Sequence, residues 1–169
     1  MSSFSTDGRS HAVDGLLNYT DLARTTVYFS HYHFDVYVKY GHTDRFLKRL
    51  DLWRDYVRTG LRTPLEAPGV RARSDCHAWG SHPIYHLLTG VAGIKHASNV
   101  FASVRIAPQP GGLKRISARM PTPKGMVSVE LRFEGDAPCG MVTLPDGLPG
   151  TFVWKGVSRS LHAGENTIR

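Results

Sequence analysis

The chain has 169 residues, of which 41% are hydrophobic, so it is long enough for one domain or two small ones and is not disordered by composition. No apolar run approaches the roughly 18 residues that cross a membrane, and we predict no membrane-spanning segment. The formal charge is +7, from 21 Lys and Arg against 14 Asp and Glu. Because the basic residues do not cluster, we predict a solvated basic surface and no nucleic-acid partner.

Residues 1–21 are rich in Ser, Gly and Asp and are predicted to form a loose leader, with one helical turn near Leu16 and Leu17. The leader lacks the apolar core of a signal peptide. Cys76 and Cys139 are too few for a disulfide framework, and such sparse cysteine suits a reducing compartment. We therefore expect a cytoplasmic protein.

Two helices are predicted next. Residues 22–40 contain no Pro or Gly and are crowded with aromatic residues, which favours a helix buried on most of its faces. Gly41 ends this run, and a second helix is predicted over 43–59, where apolar residues recur with helical spacing. Its apolar stripe consists of Phe46, Leu50, Trp53 and Val57.

A long loop is predicted over 60–82, because the segment holds two prolines, three glycines and little apolar periodicity. The unusual run RARSDCHAWGSHP ends this loop. Ser81 is a plausible N-cap for the next helix, and Pro83 falls in its first turn. The apolar spacing that follows indicates a helix ending at Gly93.

The residue pattern changes after Ala97, where short apolar runs are separated by Gly, Pro and Asp. Residues 127–133 alternate apolar and polar, the period of a half-buried strand. Six short strands with this spacing favour an antiparallel β-sandwich. We predict an α+β fold, with a helical part over 22–97 and a β-sandwich domain over 98–169.

The residues of this loop suggest three kinds of site: a metal site, a nucleophilic cysteine or a carbohydrate-binding site. A metal site from Cys76, His77, His82 and His86 would need a spacing such as C-x2-C or H-E-x-x-H, which is absent, so we predict no metal site and no cofactor. His82 and His86 are an i,i+4 pair that could ligate, but such pairs more often pack. Adjacent side chains usually point apart, so Cys76 beside His77 is interpreted as a buried packing residue rather than a nucleophile.

The third possibility is carbohydrate binding. Sugars need a flat apolar surface and hydrogen-bonding partners, and a loop that carries Trp79, His77 and Asp75 provides both. Glu66 in the same loop could add acid–base chemistry, although loop glutamates are most often solvated charges.

Four segments in order carry a family resemblance: LDLWRDYVRTGLRTPLEAP, RSDCHAWGSHPIYHLLTGVAGI, VRIAPQPGGL and MPTPKGMVSV. Together they resemble the C-terminal end of the bacterial α-L-rhamnosidases, the family-78 glycoside hydrolases. The resemblance covers residues 22–169. It implies that three to four α-helices over 22–97 are the end of an (α/α)6 six-hairpin glycosidase barrel, followed by the family's C-terminal β-sandwich.

The resemblance also implies a reaction, the hydrolysis of terminal α-L-rhamnose with inversion. Inverting enzymes use a general acid and a general base about 6.5–9.5 Å apart, with the attacking water between them. Glu66, after GLRTPL, matches the family's general base. His77 matches a histidine that holds the rhamnose, and Trp79 and Asp75 beside it are further substrate-binding candidates.

One part of the family pattern is missing. The family's general acid belongs to an Asp-rich motif resembling DCPQRDER, and nothing like it occurs in these 169 residues. We therefore expect the chain alone to be inactive, and to have the missing N-terminal barrel part or a second copy of itself as a partner. The alternative interpretation is a non-catalytic module that binds rhamnose-containing glycans or a partner subunit.

Overall fold

The computed structural model describes residues 6–69, 72–135 and 137–169. Its α-helices are α1 Thr6–Asn18, α2 Ser30–Lys39, α3 Thr43–Arg49, α4 Asp51–Arg58 and α5 Pro83–His86. Short 3-10 helices span Ala78–Ser81 and Asn99–Phe101, and a π-helical turn, Leu87–Val91, continues α5. The strands are β1 Ile94–His96, β2 Val104–Ile106, β3 Arg115–Thr122, β4 Gly125–Glu134, β5 Ala137–Leu144, β6 Gly150–Trp154, β7 Val157–Leu161 and β8 Gly164–Ile168.

The first two helices differ in length from the sequence expectation. Helix α1 has 13 residues rather than a single turn, and α2 starts only at Ser30. The prediction of a helix from residue 22 was wrong because residues 25–27 are all β-branched, which disfavours a helix. The α2 region is also not buried on most faces, because Phe29 and Tyr32 are exposed while Phe34 is fully buried.

The predicted helix over 43–59 is confirmed as two consecutive helices, α3 and α4, which meet at Leu50. Phe46 and Leu50 are buried, as the apolar stripe predicts. Val57 is 74% exposed, so the prediction that it belongs to the apolar stripe packed against the core was wrong. Its side chain lines an open apolar groove rather than the core. Pro83 is confirmed in the first turn of α5. The predicted N-cap Ser81 was wrong, because Ser81 ends the preceding 3-10 helix and His82 is the N-cap.

Two four-stranded sheets make up the β part and confirm the predicted α+β fold class. One sheet has the order β1-β2-β6-β7, and the other is the antiparallel sheet β3-β4-β5-β8. In β4 the apolar side chains of Val127, Val129 and Leu131 are buried, as the alternation predicts. The pairing of β2 with β6 is parallel, so the first sheet is not purely antiparallel. Its first strand, β1, precedes residue 98, and the domain division at that point stays a prediction.

One hydrophobic cluster joins the helices to both sheets, with Phe46 and Val91 on the helical side and Ile106, Val129 and Phe152 in the strands. Burial of this apolar surface is the main favourable term for the fold. Among the described residues, no helix is long and apolar enough to cross a membrane.

A glutamine fastens the helices to the loop that follows β2. Gln109 accepts a hydrogen bond from the Thr43 hydroxyl at 2.7 Å and donates one to the Val38 carbonyl at 3.1 Å. Its backbone N–H also donates to the Val91 carbonyl at 3.0 Å. Gln109 thus links α2, α3 and the π-helical turn after α5, which positions the loop between α4 and α5 on a fixed frame.

Replacing Phe34 by alanine tests the helical side of the core. Phe34 is fully buried and its ring lies 4.8 Å from that of Phe46, so we expect Phe34→Ala to lower the free energy of unfolding by about 3–5 kcal/mol. Urea denaturation measures the change. Phe29→Ala is the matched control, because Phe29 is exposed and its loss should cost less than about 1 kcal/mol. Equal losses for the two variants would contradict the packing described.

Candidate functional site

The loop between α4 and α5 folds back on itself and is fastened by backbone hydrogen bonds. The Glu66 N–H donates to the Ser74 carbonyl at 2.9 Å, and the His77 N–H donates to the Pro64 carbonyl at 2.9 Å. We call these two bonds the loop clamp. Because paired backbone groups hold their neighbours in a fixed register, the clamp keeps Glu66 and His77 on adjacent arms of the loop.

The clamped loop is anchored on α4 and on the short helix Ala78–Ser81. The Trp53 indole N–H donates to the Gly80 carbonyl at 2.7 Å. Gly80 packs so closely against the loop that a Cβ at this position would lie 2.7 Å from the Cβ of Pro64. Only glycine permits this approach, so Gly80 fixes the distance between the two arms.

Glu66 forms an ion pair with Arg73, and its side chain is only 16% exposed. The Arg73 guanidinium donates to both carboxylate oxygens, with the Nε to Oε2 distance at 3.0 Å. This hydrogen bonding lowers the pKa of Glu66; partial burial opposes the shift, and the charges of Arg73 and His77 add to it. The Glu66 carboxylate is therefore ionised at neutral pH and is fixed in position by its hydrogen bonds with Arg73.

His77 and Trp79 form an aromatic pair beside the clamp. Their ring centroids lie 4.1 Å apart, and the Trp79 ring also lies 5.0 Å from that of Tyr28. Trp79 is 45% exposed, so part of its face is open to solvent. Glu66 and His77 thus lie on adjacent arms of the loop, and Trp79 follows His77 by two residues, so a carboxylate, an imidazole and a partly exposed aromatic ring belong to the same loop.

The side chains of Asp75 and Cys76 are both exposed. Asp75 is exposed and borders a groove of about 720 Å³ that Tyr56 and Arg73 also line. Cys76 is exposed as well, so its interpretation as a buried packing residue was wrong. The reason is local: the clamp turns the backbones of residues 74–77 inward for hydrogen bonding, and the Cys76 side chain remains in solvent.

A histidine cluster lies next to this loop and was not predicted. His31 of α2 meets His82 and His86 at the start of α5, and one ring nitrogen of each lies within 4.8 Å of the others. Burial, followed by the proximity of His31, His82 and Lys95, lowers the pKa of His86 to about 3. Burial also lowers the pKa of His82. The i,i+4 spacing of His82 and His86 was visible in the sequence, but no sequence signal connected them to His31.

An apolar groove of about 710 Å³ lies between α4 and α5. Val57, Ile84 and Leu87 line it, and all three side chains are exposed. Exposed apolar surface of this kind marks a place where another protein segment can pack.

No known protein-family profile and no curated protein matches the sequence. Solved structures do match. A GH78 family rhamnosidase of Bacillus sp. GL1 matches with a TM-score of 0.74 and 18% identity, over 91% of this chain and 18% of that one. An α-L-rhamnosidase from Dictyoglumus thermophilum matches with a TM-score of 0.68 and 19% identity, over 85% of this chain and 17% of that one.

The α-L-rhamnosidase of Streptomyces avermitilis, solved in complex with L-rhamnose, matches with a TM-score of 0.63 and 18% identity. This match covers 78% of this chain and 16% of that one. The chain therefore spans less than a fifth of the length of these solved structures. The likeness establishes the fold, and at that level the resemblance predicted from the sequence is confirmed: these residues fold as part of an α-L-rhamnosidase does.

The ion pair at Glu66 predicts a measurable change in its titration. Because the hydrogen bonds from Arg73 are the largest cause of the lowered pKa, Arg73→Ala should raise the pKa of Glu66 towards its ordinary value. Carboxyl-carbon NMR titration of the two proteins measures this. Arg62→Ala, which removes an exposed arginine of the same loop, is the control and should leave the pKa of Glu66 unchanged. An unaltered pKa in Arg73→Ala would refute the pairing.

Proposed function

We propose that this chain is the C-terminal portion of an inverting α-L-rhamnosidase and carries the general base of its active site. The observation that carries the proposal is the enclosed, ionised Glu66 on a clamped loop, in a chain that folds like part of several α-L-rhamnosidases. The substrate proposed is a glycoside with a terminal α-L-rhamnosyl group.

Glu66 has the protonation state that a general base requires. An inverting glycosidase needs one ionised carboxylate to remove a proton from water as the water attacks the anomeric carbon. The bond to Arg73 keeps the Glu66 carboxylate charged and oriented, but it also makes the carboxylate a weaker base. Since Arg73 is 83% exposed, its guanidinium has room to swing away, and we infer that the pair loosens as the substrate and water enter.

The side chains beside Glu66 suit a sugar ligand. The exposed part of the Trp79 ring provides an apolar surface for a sugar C–H face. The His77 imidazole, 4.1 Å from that ring by centroids, provides a hydrogen-bonding partner for a hydroxyl group. Asp75 is exposed and lines the groove with Tyr56 and Arg73, so it would contact only a ligand that reaches that groove. We assign His77 and Trp79 to the rhamnosyl group and keep Asp75 as a more distant candidate.

The general acid is proposed to come from another part of the enzyme. The Asp-rich motif that would carry it is not among these 169 residues. The apolar groove with Val57, Ile84 and Leu87 provides a face on which further barrel helices could pack. A second copy of the chain could cover the same face, but it would bring no Asp-rich motif.

An activity assay tests the proposal directly. The purified chain alone should not hydrolyse an aryl α-L-rhamnoside, because no acid protonates the leaving group. Co-expressed with an upstream barrel segment that bears the Asp-rich motif, it should form an active complex. Glu66→Gln should lower kcat of that complex by about 10²–10⁴-fold. Glu165→Gln, at an exposed glutamate of β8, is the control and should leave kcat unchanged.

The assay also separates the alternative function. A complex that binds L-rhamnose but does not turn over would favour a non-catalytic glycan-binding module, an interpretation supported by the exposed aromatic surface at Tyr28 and Trp79. If the purified chain alone hydrolyses the rhamnoside and Glu66→Gln abolishes this activity, the proposed requirement for an upstream barrel segment is contradicted. Turnover of the complex that survives Glu66→Gln would contradict the assigned base.

A further inference from the structure

Two helices that are distant in the sequence bring three imidazoles together. His31 lies in α2, while His82 immediately precedes α5 and His86 ends it. The Nδ1 atom of His31 lies 3.2 Å from the Nε2 atom of His86. Two nitrogens bound tetrahedrally to one Zn²⁺ ion would lie about 3.3 Å apart, because each Zn–N bond is about 2.0–2.1 Å long. The pair therefore already has the separation that a shared metal requires.

Asp35 lies beside two of the three rings, within ion-pair distance but without a direct hydrogen bond to either ring. Its carboxylate oxygens lie 3.7 Å from His31 Nε2 and 3.6 Å from His86 Nδ1, the nitrogens of these two rings that are not part of the 3.2 Å pair. A carboxylate on the outer side of a histidine favours a proton on the outer nitrogen and leaves a lone pair on the inner one. Asp35 therefore favours the metal-binding tautomer of both His31 and His86, and the two rings adopt it together once a metal ion replaces the hydrogen bond between them.

The third ring is oriented by the backbone. The Nε2 atom of His82 lies 3.0 Å from the Val27 carbonyl oxygen, which can only accept, so Nε2 carries the proton and Nδ1 is left with a lone pair. That Nδ1 atom is buried and has no hydrogen-bond partner among the described residues. A buried polar atom without a partner costs free energy, and a metal ion would provide the missing partner.

We propose that His31, His82 and His86 bind a divalent transition-metal ion and that Zn²⁺ fits them best. Imidazole nitrogen suits Zn²⁺, Cu²⁺ and Ni²⁺, whereas Ca²⁺ and Mg²⁺ prefer oxygen ligands. In the metal-free chain one ring donates the proton between His31 Nδ1 and His86 Nε2. On metal binding that proton moves through solvent to the other nitrogen of the same ring, so both imidazoles stay neutral and each offers a lone pair to the metal. Three protein ligands leave a fourth position for water.

The surroundings allow a metal to enter and hold it once bound. His86 is 1% exposed, but the side chains of His31 and Asp35 are 35% and 52% exposed, so the cluster is open on the α2 side. Phe34 and Trp53 cover His82 on the inner side, with ring centroids 5.3 and 5.4 Å away. The ion would fasten α2 to α5, directly after the short helix that carries Trp79. The site does not depend on the proposed hydrolysis.

Metal titration of the full chain tests this inference. After treatment with a chelator, the chain should bind one Zn²⁺ ion per molecule by calorimetry, and Tm should rise with Zn²⁺ concentration. Co²⁺ in its place should give the visible absorption of a tetrahedral site without a thiolate charge-transfer band. A Cys76→Ser/Cys139→Ser double variant, which removes both exposed thiols, should bind equally well.

Histidine variants assign the ligands. His31→Gln replaces the most accessible ligand and should weaken Zn²⁺ binding by more than about 100-fold, while Asp35→Asn should weaken it by about 10–100-fold. His33→Gln, two residues along α2 and outside the cluster, is the matched control and should bind as the unaltered chain does. Far-UV circular dichroism confirms that each variant is folded. The proposal would be overturned if the folded, unaltered chain bound no metal. It would also be overturned if His31→Gln bound Zn²⁺ as tightly as the unaltered chain.

Discussion

The position of Glu66 depends on the loop clamp, the pair of backbone hydrogen bonds from Glu66 to Ser74 and from His77 to Pro64. A loop of this length would otherwise sample many conformations, and its carboxylate would be an ordinary solvated charge. The clamp places the carboxylate beside Arg73 and keeps His77 on the neighbouring arm. The bond from Trp53 to Gly80 then fixes the whole loop to the helices.

The frame behind the loop is made of contacts between distant parts of the chain. Gln109 ties the loop after β2 to α2 and α3, and the common hydrophobic cluster joins these helices to both sheets. The β-sandwich therefore contributes to the site without supplying any of its proposed functional side chains. This arrangement explains how a chain with the fold of only part of an α-L-rhamnosidase holds the loop of Glu66 and His77 in a defined conformation.

Sequence patterns predicted the features that depend on near neighbours. The apolar positions Phe46 and Leu50 and the alternation in β4 were confirmed, because each depends on a local periodicity of a few residues. The break between α3 and α4 at Leu50 was not predicted. The start of α2 was missed because the absence of Pro and Gly was weighted above the three β-branched residues at positions 25–27. The parallel pairing of β2 with β6 and the contact of His31 with His86, 55 positions apart, are long-range, and no local pattern encodes them.

The central claim is that the clamped loop with Glu66, His77 and Trp79 receives an L-rhamnosyl group. Titration of the isotope-labelled chain with L-rhamnose, followed by amide and indole NMR signals, tests it most directly. The claim predicts that the largest shifts occur at the Glu66 and His77 amides and the Trp79 indole, and that L-fucose, a 6-deoxy sugar of different configuration, causes much smaller ones. Shifts confined to the β-sandwich, or equal responses to the two sugars, would contradict it.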